Sequence, residues 1–150
     1  MRRILSVMLV FCLVFPFALT AGAAMPTLEG SLALSSNDYY CVSEIQVIEE
    51  TVSRSTAKTI TAKKSTTYYS PENVAIAVVT VIGSFTYDGT AAKATASDVT
   101  YQILNANWRW YDDYSYCSGA TAIAVAFFKL DIATERVEVR LTCSPTGTLS

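Results

Sequence analysis

The sequence predicts an all-β fold, an immunoglobulin-like β-sandwich of seven or eight antiparallel strands, and three observations carry that expectation. After Pro26 the apolar residues recur at every second position, the signature of strands with one buried face. Turn-forming residues punctuate the chain at roughly 8–12-residue spacing, as in sandwiches. No stretch past the N-terminal segment sustains the i, i+3, i+4, i+7 apolar spacing of an amphipathic helix, so no helix is expected there.

The chain has 150 residues, and its start reads as a signal peptide over 1–24. Arg2 and Arg3 precede the apolar run Ile4 to Phe15, Pro16 interrupts it, and "ALTAGAAM" follows. A basic start, a short apolar core and small residues at the exit describe a secretory leader. Cleavage is expected after Ala21-Gly22-Ala23 or Gly22-Ala23-Ala24. A membrane-spanning helix needs about 20 apolar residues, and this run is shorter. Cys12 lies inside the apolar run behind Phe11, the wrong place for lipidation. No LPxTG-like sorting motif follows Cys143. The expected product is a secreted, extracellular bacterial protein, free of the membrane once cleaved, with residues 25–150 as a single β-sandwich domain.

Loss of the leader removes two arginines and no acid, leaving nine Lys and Arg against thirteen Asp and Glu, a net charge of −4. Such acidity argues against nucleic acid as a partner. A domain of about 125 residues is large enough for one proper core and too small for two. Cys41, Cys117 and Cys143 remain, which in an oxidising compartment allow one disulfide or none. Cys117 and Cys143 are the candidate pair, because they lie on strands linked through one hairpin. A free buried thiol is the alternative, since Cys packs as a small hydrophobe.

Taken in order, "YYCVSEIQVIEE" is a strand candidate, and "AKTITAKK" is another, polar enough for a sheet edge that its lysines would protect. "STTYYSPEN" around Pro71 reads as a loop. "AIAVVTVIGSF" is the first arm of a hairpin turning at Asp88-Gly89, a pair that suits a two-residue type I′ turn. That turn would set Tyr87 opposite Thr90, Phe85 opposite Ala92 and Gly83 opposite Ala94. "VTYQIL" is a strand with Val99, Tyr101 and Ile103 inward. In "ATAIAVAFF", Thr121, Ile123, Val125 and Phe127 oppose Ala122, Ala124, Ala126 and Phe128. "KLDIAT" reads as the turn into "ERVEVRLTC", where Val137, Val139, Leu141 and Cys143 share a face. The antibody hallmark is not met, because Trp108 and Trp110 lie far beyond Cys41 and just before Cys117. The expectation is therefore of the architecture and not of that superfamily.

The run "GSFTYDGTAAKATASDVTYQIL", a downstream Trp, an alternating hairpin and the ending "VRLTCSPTGTLS" resemble a group of uncharacterised small secreted proteins of Gram-positive bacteria. The shared features are an F-x-Y-[DN]-G hairpin and an LTC…G…S ending, spanning about residues 78–150. The resemblance implies a β-sandwich and supplies no catalytic residues.

Several chemistries are excluded by what the chain lacks. It contains no His, which removes Ser-His-Asp and Cys-His catalysis and most zinc sites. The cysteines that outlast the leader have no CxxC spacing, and GxGxxG, GxxxxGK[ST] and GxSxG are absent. Asp112 and Asp113 are adjacent, so in a strand they point to opposite faces and cannot flank one glycosidic bond. No enzyme activity, cofactor or metal is expected.

The most chemically dense stretch is "NWRWYDDYSYCSG", residues 107–119. If extended, it sets Trp108, Trp110, Asp112, Tyr114 and Tyr116 on one face. Exposed, those rings would stack on sugars while the carboxylate bonds their hydroxyls. Buried, they would fill the core or close one end of the sandwich. The pairs Tyr39-Tyr40 and Tyr68-Tyr69 place one ring on each face of a strand. Lys63 and Lys64 are explained as a solvated edge. The expected function is a non-catalytic binding or structural module whose partner is an extracellular protein or glycan. The alternative is a carbohydrate-binding module built on Trp108, Trp110, Asp112 and Tyr114.

Overall fold

The computed structural model describes residues 39–51 and 57–150. The expected signal peptide, Cys12 within it and the first residues of the expected domain lie outside the described residues. Seven strands run in order: β1 (Tyr40–Thr51), β2 (Lys58–Tyr69), β3 (Ala75–Tyr87), β4 (Ala92–Ile103), β5 (Arg109–Ser118), β6 (Thr121–Leu130) and β7 (Ala133–Thr142). They form two antiparallel sheets, β1-β2-β3-β4 and β5-β6-β7, packed face to face. The all-β sandwich is thus as expected. The immunoglobulin-like exchange of strands is not found among the described residues. Each sheet is a meander of consecutive strands, whereas the immunoglobulin arrangement interleaves its sheets through Greek-key connections. Short turns favour this outcome, because a tight hairpin delivers each strand to its predecessor's side.

The core lies between the sheets and follows from the alternation. Val79, Val81 and Phe85 of β3 are fully buried, as are Ala122, Ala124, Ala126 and Phe128 of β6. Val137, Val139 and Leu141 of β7 complete the second wall, with Cys143 just past the strand end. The inward face of β6 is the small one, and Gly83 explains why. A Cβ built on Gly83 would lie 2.7 Å from the Ala122 Cβ and 2.8 Å from the Phe85 ring. The sheets approach so closely there that only glycine fits opposite alanine. Large rings then pack beside small residues at interior density.

The β3–β4 hairpin forms with a shifted register. Tyr87 pairs with Ala92, Phe85 with Ala94 and Gly83 with Ser97, two or three residues beyond the expected partners. The connection has four residues, Asp88 to Ala91, and among these only Gly89 has positive φ, at 91°. Asp88 sets this turn, because its carboxylate accepts from Thr90 N–H at 2.8 Å, Thr90 hydroxyl at 2.7 Å and Ala91 N–H at 2.9 Å. An Asx-type turn thereby outcompetes the two-residue form. Gly89 also donates its N–H to the Pro145 carbonyl at 2.9 Å. Gly147 (φ 89°) lies so close to Tyr87 that a Cβ there would come within 2.6 Å of its ring. Tyr87 in turn donates its hydroxyl to Glu50 at 2.6 Å, which pushes its pKa up to about 12. The F-x-Y-D-G hairpin and the C-terminal segment are therefore one packed unit.

Other local expectations change for physical reasons. β2 is an interior strand, hydrogen-bonded to both β1 and β3, and β1 and β4 are the edges of its sheet. The segment Ser65–Tyr69, expected in a loop, completes β2, since Thr66 and Tyr68 turn inward and are buried. Only Ser70 to Val74 turn the chain. The β6–β7 turn shrinks to Asp131-Ile132, with Asp131 at φ 52°. The expected Cys117–Cys143 disulfide is not formed, and Cys41, Cys117 and Cys143 are all free thiols. Cys117 pairs with Ala122 and Ala122 with Leu141, so β6 lies between the two thiols. Two strand spacings are about 10 Å, beyond the reach of a disulfide.

Two outcomes follow. Gly83→Ala forces Ala122 and Phe85 apart, and chemical denaturation should show a net loss of about 1–2 kcal/mol, overpacking exceeding the entropic gain of replacing glycine. An unchanged midpoint would contradict the close approach. The bonds to Asp88 lower its pKa from 3.8 to about 2. Its stabilising effect is then full above pH 3.8 and fades as pH falls through about 2. The stability difference between the protein and Asp88→Ala should close over that window in acid denaturation series.

Candidate functional site

β5 carries the residues singled out from sequence, and its pairing with β6 decides where each one points. Residues paired across a ladder share a face. Arg109 pairs with Lys129 and Trp110 with Phe128, but Asp112 pairs with Phe127. Tyr111 is therefore an extra residue, a β-bulge. The bulge reverses the alternation. Before it, Trp110 lies on the inner side with Phe128. After it, Asp113, Ser115 and Cys117 lie on the inner side with Ala126, Ala124 and Ala122. Asp112, Tyr114 and Tyr116 lie on the outer side with Phe127, Val125 and Ile123.

The expected single face of Trp108, Trp110, Asp112, Tyr114 and Tyr116 is accordingly divided among three places. Trp108 precedes β5 and closes one end of the sandwich, 6 % exposed. It meets the Tyr68 ring edge-on at 6.4 Å and the Tyr39 ring at 6.4 Å. Its backbone N–H donates to Asn105, whose side chain accepts from Asn107 N–H, so a local turn aims the indole inward. Beside it, Tyr68 donates to Glu135 at 3.3 Å, and burial with that carboxylate's charge raises the phenol pKa.

Trp110 is 45 % exposed and stacks on Tyr101 of β4, with ring centroids 5.6 Å apart and planes 3° from parallel. Its indole N–H donates to Asp113 Oδ2 at 2.8 Å. That bond crosses the bulge and fixes the ring over the seam between the sheets. Nearby, Ser115 donates to the Ser97 carbonyl at 2.9 Å and Ser97 to the Ile123 carbonyl at 3.1 Å, tying β4 to the second sheet.

Asp112 and Tyr114 sit on the outer face of β5-β6-β7. Tyr114 and Tyr116, at 45 % and 43 % exposure, lie with ring centroids 6.1 Å apart, and Tyr114 meets Phe127 at 6.2 Å. Beneath the rings Val125 and Ile123 are buried although they face away from the core. On the far side, Glu138 of β7 binds Arg136 and Arg140, which hold its carboxyl below the usual range. The Glu138 carboxylate, and after it the Tyr114 hydroxyl, raises the Arg136 pKa. At the other end of this face the Lys129 ammonium sits 3.3 Å from the centroid of the Tyr111 ring.

Sequence reasoning therefore located the strand but missed Tyr101 as the partner of Trp110 and the arginines opposite Tyr114. Their signal was the alternation in "ERVEVRLT", whose outward residues Arg136, Glu138 and Arg140 share a face with Tyr114 once β6 is placed between them. Asp112 and Asp113 do face opposite sides of β5, as their adjacency implies. Among the described residues no group of three or more Asp, Glu or Cys is arranged to hold a metal ion. No helix among them is long and apolar enough to cross a membrane. No family model, curated protein or solved structure matches the chain.

The two indoles should separate cleanly in solution. Trp108→Ala is expected to cost about 3–5 kcal/mol in denaturation, the range for emptying a buried ring site, whereas Trp110→Ala should cost under about 1 kcal/mol. Acrylamide should quench the emission of Trp108→Phe strongly and that of Trp110→Phe weakly. Equal quenching of both variants would contradict the assigned burial.

Proposed function

We propose that the chain is an exported, non-catalytic binding module that works outside a bacterial cell, presenting aromatic side chains on a rigid β-sandwich. One observation carries this reading: β5 holds Trp110, Tyr111, Tyr114 and Tyr116 at the surface, each anchored by a specific neighbour rather than left loose. Rings that bury large area at small entropic cost are the usual anchors of recognition surfaces. Strands hold such anchors more precisely than loops do. Export rests on the Arg2-Arg3 start, the apolar run and the small residues near Ala23. The absence of His and the opposed aspartates support binding over catalysis. The resemblance to small secreted proteins of Gram-positive bacteria belongs to the same reading.

A second reading is favoured by the Trp110–Tyr101 stack. With Asp113 fixing the indole and its outward face open, Trp110 is suited to stacking against a neutral sugar ring. Trp108 has no part in it, being inside.

Expression of the full chain in a Gram-positive host should release protein whose N-terminus, read by sequencing, is Ala24 or Met25. Retention of the intact chain in cells would contradict export. On a glycan array, Trp110→Ala should lose about tenfold in binding if the stacked indole supplies on the order of 1.4 kcal/mol. Unchanged array binding would exclude the Trp110 surface and leave the Tyr-bearing outer face of the second sheet as the contact.

A further inference from the structure

We propose that the outer face of the β5-β6-β7 sheet is a binding site for an acidic glycan, a polymer of sugars bearing carboxylate or phosphate groups. The inference rests on the reading of the chain as a binding module and names the ligand class and the surface.

The face has an unusual charge for this chain. Formal net charge is −2 overall, yet Arg109, Lys129, Arg136 and Arg140 all project outward from this sheet against only Asp112 and Glu138. All three arginines among the described residues are here. Arg109 and Lys129 are direct cross-strand partners, and like charges so placed destabilise a sheet. Lys129 is held over the Tyr111 ring, and an anion bridging it to Arg109 removes the repulsion between the two cations.

The aromatic part of the face suits a sugar rather than a bare ion. Tyr114 and Tyr116 form a shallow platform over the buried Val125 and Ile123, so the rings have a firm base. Sugar C–H faces stack on such rings while guanidinium donors reach the acidic groups beside them. Glu138 holds both Arg136 and Arg140, and each guanidinium, with five donors, retains free N–H groups for a ligand. Planar forks of this kind match carboxylate and phosphate geometry. DNA is disfavoured because it carries one negative charge per about 1.7 Å, a density that an acidic protein repels outside the patch.

The test titrates the whole exported chain with polygalacturonate, a phosphorylated mannan, neutral mannan and a DNA oligonucleotide, at low and high salt, by calorimetry. Expected is binding of one or both acidic glycans, weakening with salt, with the two polymers distinguishing carboxylate from phosphate recognition. The Arg109→Ala/Arg140→Ala double variant should bind about tenfold more weakly, at a cost on the order of 1.4 kcal/mol, while its thermal midpoint stays level or rises. Lys63→Ala, which removes a cation from the outer face of the other sheet, should bind the acidic glycans as the parent does. The Trp110 surface is read separately by the glycan array, so a failure of that surface and a failure of this one are told apart. The proposal is overturned if no acidic glycan binds, if neutral mannan or DNA binds as tightly, or if the double variant binds unchanged.

Discussion

The contact between β3 and β6 at Gly83 and Ala122 sets the spacing on which the rest of the sandwich depends. Sheets normally stack about 10 Å apart, and a pair of facing residues without bulk lets their neighbours interlock. Phe85 and Phe128 then enter from opposite sheets and fill the volume that the small residues leave. Because β6 turns Ala122, Ala124 and Ala126 inward, its branched residues Ile123 and Val125 turn outward. Apolar surface left outside must be covered, and Tyr114, Tyr116 and the stems of Arg136 and Arg140 lie on the strands beside it. The aromatic and cationic face is thus a consequence of the close core contact.

The bulge at Tyr111 is the second organising element. One extra residue moves Trp110 to the inner margin and leaves Tyr114 and Tyr116 outside. Without it the indole and the tyrosines would share a face, and the strand would present one continuous aromatic row. With it, the same sequence builds a stacked pair on the β4–β5 seam and a separate Tyr–Arg surface. The Trp110–Asp113 bond spans the bulge and reinforces it. Bulges commonly re-aim side chains near functional positions, and here that re-aiming separates two candidate surfaces.

Much of the strand content was legible because the inward residues of β7 and both faces of β6 alternate without interruption. The β3–β4 hairpin was legible in its partners but not in its register. Asp88 can accept several donors at once, and that chemistry lengthens the turn beyond what Asp-Gly alone suggests. The edge position was misassigned because Lys63 and Lys64 lie on opposite faces of an interior strand, Lys63 outside with Ile82 and Lys64 on the inner side with Val81. Charge on a strand says nothing about which strands lie to either side. Of the candidate site, the aromatic strand was visible. Its division between buried Trp108, seam-bound Trp110 and outward Tyr114 was not, since a bulge leaves no mark in composition.

The sequence alone determined the all-β class, the alternation that selects inward residues, and the exclusion of His-dependent chemistry. These are local properties, carried by neighbours two positions apart or by residues that are missing. The tertiary structure decided the meander order of the strands, the separation of Cys117 from Cys143, the direction of each indole and the gathering of the arginines opposite the tyrosines. Those depend on register between strands, and register follows from turn length, from a single bulge and from the fit of Gly83 against Ala122. A one-residue change in register turns every side chain to the opposite face, and side-chain direction on β5 separates an inward residue from a surface one.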